Sequence, residues 1–350
     1  MIRVLAIDGG GIRGIIPATI LVALESYLKL YSHDESACLA QHFDLIAGTS
    51  TGSILTCLLL SPTKTQEVGR YSAEDILSLY LTEGKTIFSK PLLHQIRCAN
   101  GMFGSKYSSR GIETLAHRYF GDLKLSQLTK PCLIPAYDMQ SAKSLFFNQK
   151  TGMRAPLRDF YVRDIIRGAT AAPTFFKPAH IKDDHNQSYT LIDGAVFANN
   201  PAMCAYVEAG KLDARIFTED IMLLSLGTGV KEQLYDYERI KNWGMSRWPL
   251  PLLSVFSNGS SDTIDHQLST LFRLVEKSTN YLRIEADMNE MKLSTKMDDV
   301  SVLNIQNLHT AGEVLVSRYD EQLRRFAKRL VDETYIRAFS QKEVGYDFKW

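Results

Sequence analysis

The sequence lacks the features that mark a disulfide-bonded, zinc-binding or membrane-spanning protein. Its five cysteines are an odd number and contain no C-x-x-C pair, so we predict reduced, buried thiols and no zinc site. The longest apolar stretch, at 54–60, is far shorter than the ~20 residues that a bilayer-spanning helix needs. The chain also opens on strand-like residues, without the charged, apolar and cleavable parts of a Sec signal peptide. We therefore expect a cytoplasmic or peripheral membrane protein, with secretion by another route left open.

An excess of charge of one sign is also missing. The 350 residues carry 40 Lys and Arg against 39 Asp and Glu, so no global field attracts nucleic acid or anionic lipid. The chain has no internal repeat and no low-complexity tract. With 45% hydrophobic and 23% charged residues, the composition predicts a folded globular protein without a nucleic-acid partner.

What the sequence does contain is an alternation of strands and helices. Residues 2–7 form a β-branched run that ends in glycines and is followed by helical spacing over 15–30. The same order recurs with a buried strand at 43–48 and an apolar helix at 53–61. These two units predict a parallel sheet and an α/β fold. Further strands are predicted at 132–139, 144–148, 188–193 and 221–229, and further helices after Ser72, at 108–120 and at 161–169.

The whole chain, 1–350, is predicted to form a single domain with its motifs in a core at 2–229. Residues 231–262 mix tryptophan, proline, glycine and serine without a clear period, and we interpret them as an excursion or lid. The part at 263–340 is expected to be helical, because an apolar stripe runs through 311–337 at helical spacing.

The sequence Gly48-Thr49-Ser50-Thr51-Gly52 has the G-x-S-x-G pattern between a predicted strand and a predicted helix. In a nucleophile elbow, small residues at the two glycine positions let the strand and the helix approach closely. The Ser50 hydroxyl would then stand at a helix N-terminus, which favours developing negative charge. Ordinary turns show the same pattern by chance, so the pattern by itself leaves the role of Ser50 open.

A second glycine-rich segment, 8–14, follows the first predicted strand. Its G-x-G-x-x-G spacing is typical of dinucleotide-binding turns, but the anionic Asp8 stands directly before the first glycine. The acidic residues about 20 positions further on also fall in a loop and not at a strand end. The loop fits an oxyanion-binding nest equally well, formed by the N–H groups of Gly9, Gly10 and Gly11. Arg13 would either add positive charge to that nest or pair with Asp8 or Asp44.

A serine nucleophile needs a base, and none of the eight histidines stands at a predicted strand end followed by small residues. Asp193 is better placed, because it closes the predicted strand at 188–193 and leads into Gly194 and Ala195 at the sheet edge that presents Ser50. Burial would have to raise its pKa from the reference value of ~3.9 for it to act as a base. Asp-Gly is also a common turn, and a Ser-Asp-His triad with a late histidine, His266 or His309, stays open.

Three motifs, DGGGIRG (8–14), GTSTG (48–52) and DGA (193–195), occur in the order and surroundings seen in patatin-like phospholipases. The sequence resembles that family also through 106–121, 169–178, 199–201 and 225–229, so the resemblance covers about residues 2–229.

This resemblance implies a three-layer α/β/α fold with a central, mostly parallel sheet and peripheral helices. It implies a lipid acyl hydrolase that cleaves carboxylic esters through a covalent acyl-enzyme. The family's nucleophile and its aspartate partner fall on Ser50 and Asp193, the glycine loop is the oxyanion hole, and Arg13 stands at the position of the family's basic residue. Such an enzyme acts on a lipid or phospholipid. We expect no cofactor and no metal, and any contact with a membrane is expected to be peripheral. The resemblance leaves an activator protein or small nucleotide open.

Overall fold

Eight strands form one sheet in the computed structural model, which describes residues 1–65, 69–88, 104–154, 159–212, 216–231, 235–245 and 247–343. The strand order is β5-β6-β3-β2-β1-β7-β8, and β4 pairs with β3 beside this path. The strands are β1 (Ile2–Ile7), β2 (Leu45–Gly48), β3 (Cys132–Asp138), β4 (Lys143–Phe147), β5 (Ala179–Lys182), β6 (Ser188–Asp193), β7 (Ile221–Leu226) and β8 (Tyr281–Ile284).

The middle of the sheet is parallel, as predicted, and one end is antiparallel. Strands β3, β2, β1, β7 and β8 run in the same direction, while β4 and β6 are antiparallel to β3, and β5 is antiparallel to β6. Every residue of β1, β2 and β7 is buried, which explains why these strands are continuous apolar runs without alternation. The sheet is therefore mixed.

Helices cover both faces of the sheet. On β1, Leu5 and Ile7 belong to one apolar core, while Ile2, Val4 and Ala6 belong to the other, as the two-residue period of a strand requires. The helices are α1 (Ile15–Ser32), α2 (Leu39–His42), α3 (Thr51–Leu59), α4 (Ala73–Ile87), α5 (Arg110–Phe120), α6 (Gln149–Arg154), α7 (Val162–Ala169), α8 (Ala195–Ala198), α9 (Ala202–Gly210), α10 (Tyr237–Ile240), α11 (Pro249–Leu274), α12 (Val302–Arg318) and α13 (Asp320–Glu343). Among them α1, α3, α4, α12 and α13 contribute to the larger core, and α9 and α11 to the smaller one. The expected three layers are present.

Local sequence signals determine where two of the helices begin or end. Ser72 caps α4 and forms the predicted capping box with Asp75, and α5 ends at Gly121, whose φ of 51° is left-handed. Of the cysteines, Cys38, Cys57, Cys132 and Cys204 are free thiols, and Cys98 lies outside the described residues.

The C-terminal part departs from the prediction in three ways. The helix expected over 311–337 is two helices, α12 and α13, which meet at Tyr319. The segment expected to be helical contains β8, a strand of four residues that is too short to show a period. The second part of the supposed excursion, from residue 249 onward, belongs to the 26-residue helix α11. The two prolines in its first turn are tolerated because the N–H groups there have no partner within the helix.

Among the described residues, one helical stretch, Gly11–Ser32, is long and apolar enough to cross a membrane. Its most apolar 18-residue window is 72% buried inside the fold, and its helix α1 contributes to the larger core.

Candidate active site

Ser50 occupies a strained turn between β2 and α3. Its backbone angles, φ 53° and ψ −117°, are rarely adopted by a residue with a side chain, and such conformations are concentrated at functional sites. Ser50 is the N-cap of α3, yet its side chain makes no capping hydrogen bond. Instead, the Ser53 hydroxyl donates to the Ser50 carbonyl oxygen at 2.5 Å and holds the turn. The Ser50 hydroxyl is thus left available at the start of a helix.

The two glycines of the motif are required by close backbone contacts. A Cβ on Gly48 would lie 2.1 Å from the carbonyl oxygen of Gly52. A Cβ on Gly52 would lie 2.3 Å from the carbonyl oxygen of Ile7, at the end of β1. Since one of these oxygens belongs to the first turn of α3 and the other to β1, any larger residue at either glycine would push the strand and the helix apart.

Asp193 reaches the elbow by a different route from the one expected. Because β6 is antiparallel to β3, its last residue does not lie at a parallel strand end. Asp193, on β6, pairs with Ala136 on β3. Ala47, on β2, pairs with Leu133, which lies earlier on β3. Strand β3 therefore extends past β2 and carries Asp193 to the level of the turn that follows Gly48.

The Asp193 carboxyl is buried, and its residue is only 1% exposed. The N–H of Ala195 donates to its Oδ1 at 2.9 Å, while Oδ2 has no hydrogen-bond partner of standard geometry among the described residues. Burial raises the pKa of Asp193 from 3.8 to about 7, and the Ser50 hydroxyl and the Ala195 N–H act in the opposite direction. The Ser50 hydroxyl is therefore close enough to affect the carboxylate without a fully formed hydrogen bond, a common state of sites without substrate.

Gly194 is also fixed by packing. A Cβ there would lie 2.4 Å from the carbonyl oxygen of Pro135 on β3, so the residue after Asp193 has to be glycine. The following Ala195 begins α8 and lines the pocket described below.

The glycine loop presents two free amides and not three. The Gly9 N–H donates to the Asn199 carbonyl oxygen at 3.1 Å and is not available to an oxyanion. No described residue accepts a hydrogen bond from the N–H of Gly10 or of Gly11, and both residues line the same pocket as Ser50 and Asp193. This corrects the expectation for Gly9.

The Arg13 side chain supports the loop from behind. Its Nε donates to the Gly10 carbonyl oxygen at 3.3 Å and its Nη1 to the Gly229 carbonyl oxygen at 3.1 Å. Neither proposed partner forms a salt bridge with it: Asp8 pairs with Arg283, and Asp44 pairs with Arg3. Arg13 does not line the pocket.

Three contacts that the motifs did not reveal join the separate segments. The Thr49 hydroxyl donates to the Ala198 carbonyl oxygen at 2.6 Å, and the Thr228 hydroxyl donates to the Gly9 carbonyl oxygen at 2.6 Å. With the bond from Gly9 to Asn199, they tie the elbow, the glycine loop and the turn after Asp193 together. The only sequence signal for these contacts was that 199–201 and 225–229 share the family resemblance.

A pocket of about 650 Å³ opens at this point. Besides Ser50, Asp193 and the glycines, its walls are mainly aliphatic and aromatic, and they include Ile54, Tyr80, Ile87, Phe88, Ile112, Phe175, Phe176, Phe197 and Phe256. No histidine among the described residues lines it. The pocket is of the size that small-molecule sites have, and its walls favour an apolar chain beside a polar reacting centre.

These features define an α/β protein with an apolar pocket at the edge of a mixed sheet. The family model for patatin-like phospholipases matches residues 5–206. Patatin-T5 of Solanum tuberosum is 33% identical over 364 aligned residues, which cover 97% of this chain and 92% of that protein. Patatin-like protein 1 of Arabidopsis thaliana is 32% identical, over 96% of this chain and 91% of that protein. The chain therefore belongs to the patatin-like phospholipase family.

Family membership confirms the resemblance predicted from the three motifs, and it supports lipid acyl hydrolase activity in broad terms. The solved structure of VipD from Legionella pneumophila aligns at 11% identity with a TM-score of 0.36, over 91% of this chain and 67% of that chain. That likeness is too low to bear on the fold.

Proposed function

We propose that the protein hydrolyses the carboxylic ester bond of a lipid or phospholipid, with Ser50 as nucleophile and Asp193 as base. One observation carries this proposal. Ser50, in a strained turn, shares an apolar pocket with a buried aspartate whose pKa is raised to about 7, and the Ser50 hydroxyl is close enough to that aspartate to counteract part of the rise. A carboxyl with that pKa is matched to proton transfer near neutral pH.

The reaction would proceed through an acyl-enzyme. Ser50 Oγ attacks the ester carbonyl carbon while its proton passes to the Asp193 carboxylate, and the carbonyl π electrons move onto oxygen. The N–H groups of Gly10 and Gly11 bind that oxyanion. When the tetrahedral intermediate collapses, the alcohol or lysolipid leaves with the proton from Asp193. Water, deprotonated by Asp193, then attacks the acyl-enzyme, and the second tetrahedral intermediate collapses to release the fatty acid while Ser50 Oγ takes the proton back from Asp193.

The apolar walls support an acyl chain as the bound group. Phe256, which lines the pocket, is also 65% exposed at its rim, and Val196 beside it is 47% exposed. An acyl chain could pass from a lipid aggregate into the pocket over these side chains, and this supports a peripheral membrane contact. The contacts give no support to an activator or a small nucleotide.

Two alternatives have less support. A dinucleotide needs polar partners for its ribose and phosphates, whereas this pocket is mostly aliphatic and aromatic. A Ser-Asp-His triad needs a histidine at the site. His266 lies on α11 and His309 on α12, and neither lines the pocket.

The test is covalent labelling joined to ester hydrolysis. Wild-type protein treated with a fluorophosphonate should carry the adduct on Ser50 by mass mapping, and it should release fatty acid from p-nitrophenyl esters. Ser50→Ala and Asp193→Asn should each abolish hydrolysis and remain folded. Ser257→Ala, which changes another serine of the same pocket, should keep the activity. Labelling at a different residue, or normal turnover of Asp193→Asn, would refute the assignment.

A further inference from the structure

A largely buried cluster of charges lies next to the glycine loop, and Asp8, Arg283 and Glu285, which form it, do not line the pocket. Arg283, on β8, donates to both carboxylate oxygens of Asp8, with Nη1–Oδ1 at 2.9 Å and Nη2–Oδ2 at 2.6 Å. It also donates to the Ser225 hydroxyl at 2.7 Å and forms a salt bridge with Glu285. The side chains of Asp8 and Arg283 are only 3% and 10% exposed. This cluster lies partly outside 5–206, the part of the chain that the family model matches.

The cluster is connected to the glycine loop through Glu285 and Arg13. The Gly229 N–H donates to Glu285 Oε1 at 2.6 Å, and the Gly229 carbonyl oxygen accepts from Arg13 Nη1. Arg13 in turn donates to the Gly10 carbonyl oxygen. A chain of contacts thus runs from Arg283 to the backbone of the loop.

Holding carbonyl oxygens behind the loop sets the direction of the amides in front. In a trans peptide the C=O of one residue and the N–H of the next point in opposite directions. The Gly9 carbonyl is held by the Thr228 hydroxyl, and the Gly10 carbonyl is held by both the backbone N–H and the side-chain Nε of Arg13. The N–H groups of Gly10 and Gly11 therefore point away from the cluster, and both of these residues line the pocket.

The charges in the cluster balance, with Asp8 and Glu285 against Arg13 and Arg283. Burial lowers the pKa of Arg13, and both carboxylates counteract this, so Arg13 experiences the charge of each. Burial also raises the pKa of Asp8 to about 6, against the effect of Arg283. Without Arg283, the buried Asp8 carboxyl and the partly exposed Glu285 carboxylate would have Arg13 as the remaining cation of the cluster. The guanidinium of Arg13 would be drawn to them and away from the Gly10 carbonyl, since unpaired buried charges are costly.

We propose that Arg283 is a positioning residue for the oxyanion hole: by neutralising Asp8 and Glu285 it keeps Arg13 on the Gly10 carbonyl and the loop amides aimed at the reacting oxygen. This inference rests on the proposed ester hydrolysis. In this proposal Arg283 does not touch the substrate and acts only through the glycine loop.

The experiment compares Arg283→Met and Arg283→Lys with Arg3→Met. Arg3 is a matched control because it forms a similar two-point pair with Asp44, at 2.9 and 3.0 Å, near the other end of β1, with side chains that are 4% and 15% exposed. Three quantities are measured well below each variant's melting temperature: kcat and KM for a soluble ester, inhibition by an alkyl trifluoromethyl ketone, and binding of an ether analogue of the ester. The ketone forms a tetrahedral adduct in which Ser50 Oγ bonds to the carbonyl carbon, oxygen gains the electron pair and Asp193 takes the proton.

Loss of one oxyanion donor typically lowers kcat about 10²- to 10³-fold, and a loosened loop should lower it by about 10- to 100-fold. We expect that fall for Arg283→Met, with KM and ether binding nearly unchanged and inhibition by the ketone weakened by a similar factor. The kcat of Arg283→Lys should fall less than that of Arg283→Met. Adding Asp8→Asn to Arg283→Met should recover about tenfold of the loss, because it removes one of the two carboxylates that compete for Arg13. Arg3→Met should lose stability but keep its kcat.

Three results would overturn the inference while leaving ester hydrolysis intact. They are an unchanged kcat in Arg283→Met, a change confined to KM, or an equal fall in Arg3→Met. If Arg283→Met does not fold, Arg283→Lys is judged by the same measurements. A wild-type protein that neither hydrolyses esters nor is labelled at Ser50 would instead refute the proposed function, and the inference with it.

Discussion

Replacing Asp193 by asparagine should make the protein more stable, and the gain should grow with pH. The buried carboxyl has a pKa near 7 in the folded protein and near 3.8 when unfolded. The folded state therefore holds the proton more tightly, so ionisation of Asp193 destabilises the fold as pH rises from about 4 to about 7. Asparagine keeps the shape of the side chain and carries no charge to bury.

The size of this stability difference follows from the shift in the pKa of Asp193. At 1.36 kcal/mol for each pH unit, a pKa that moves from 3.8 to about 7 corresponds to a penalty on the order of 4 kcal/mol above pH 7. Part of that penalty is already present at pH 5. The free energy of unfolding of Asp193→Asn should therefore be higher than that of the wild type at both pH values. This stability difference should be about 2 to 3 kcal/mol larger at pH 8 than at pH 5.

Urea denaturation of both proteins at the two pH values measures this difference through the transition midpoints. Asp262→Asn is the control, because that side chain lies exposed on α11. A stability difference between Asp193→Asn and wild type that is the same at pH 5 and pH 8, or that shrinks as pH rises, would show that Asp193 is not a buried carboxyl that resists ionisation.

Three further predictions concern activity and the elbow. If ionised Asp193 is the base, kcat/KM should rise with pH through about 7, and a profile flat from pH 5 to 9 would contradict this. Because Ser50 is strained at φ 53°, Ser50→Gly should be about 1 kcal/mol more stable in urea than Ser50→Ala, although both lack activity; equal stabilities would argue against strain. Gly52→Ala should lose at least about 2 kcal/mol of stability, since its Cβ would lie 2.3 Å from a backbone oxygen. Gly210→Ala, with nothing within 4 Å, should be neutral or slightly stabilising, and similar losses in both would contradict the packing argument.

The sequence predicted the parallel centre of the fold well because each strand and helix there has a local signal. The run at 2–7 is a strand over the same residues, and the capping box at Ser72 starts a helix. Strand β8 and the break at Tyr319 have no such signal. A four-residue strand is stabilised by its neighbour β7, and the apolar stripe at 311–337 continues across the break.

At the candidate site, the sequence predicted which residues are present better than it predicted which of them contact one another. It predicted a site at Ser50 and Asp193, which line one pocket, but assumed that Asp193 ends a parallel strand. It could not reveal that Gly9 is already bonded to Asn199 or that Arg13 faces away from the pocket, because these are contacts between distant segments. A motif specifies which side chains are present, and only the packing of remote segments determines which polar groups stay free.

The burial of α1 has a consequence for how the protein is made. The apolar stretch Gly11–Ser32 is covered in part by α12 and α13, where Thr19 packs against Gly312 and Tyr335 donates to the Ser32 carbonyl oxygen. A ribosome synthesises these covering helices well after α1. Until they emerge, the nascent chain exposes part of a segment as apolar as a membrane span, and a chain that stops before residue 302 would leave that surface open to aggregation or to misdirected insertion.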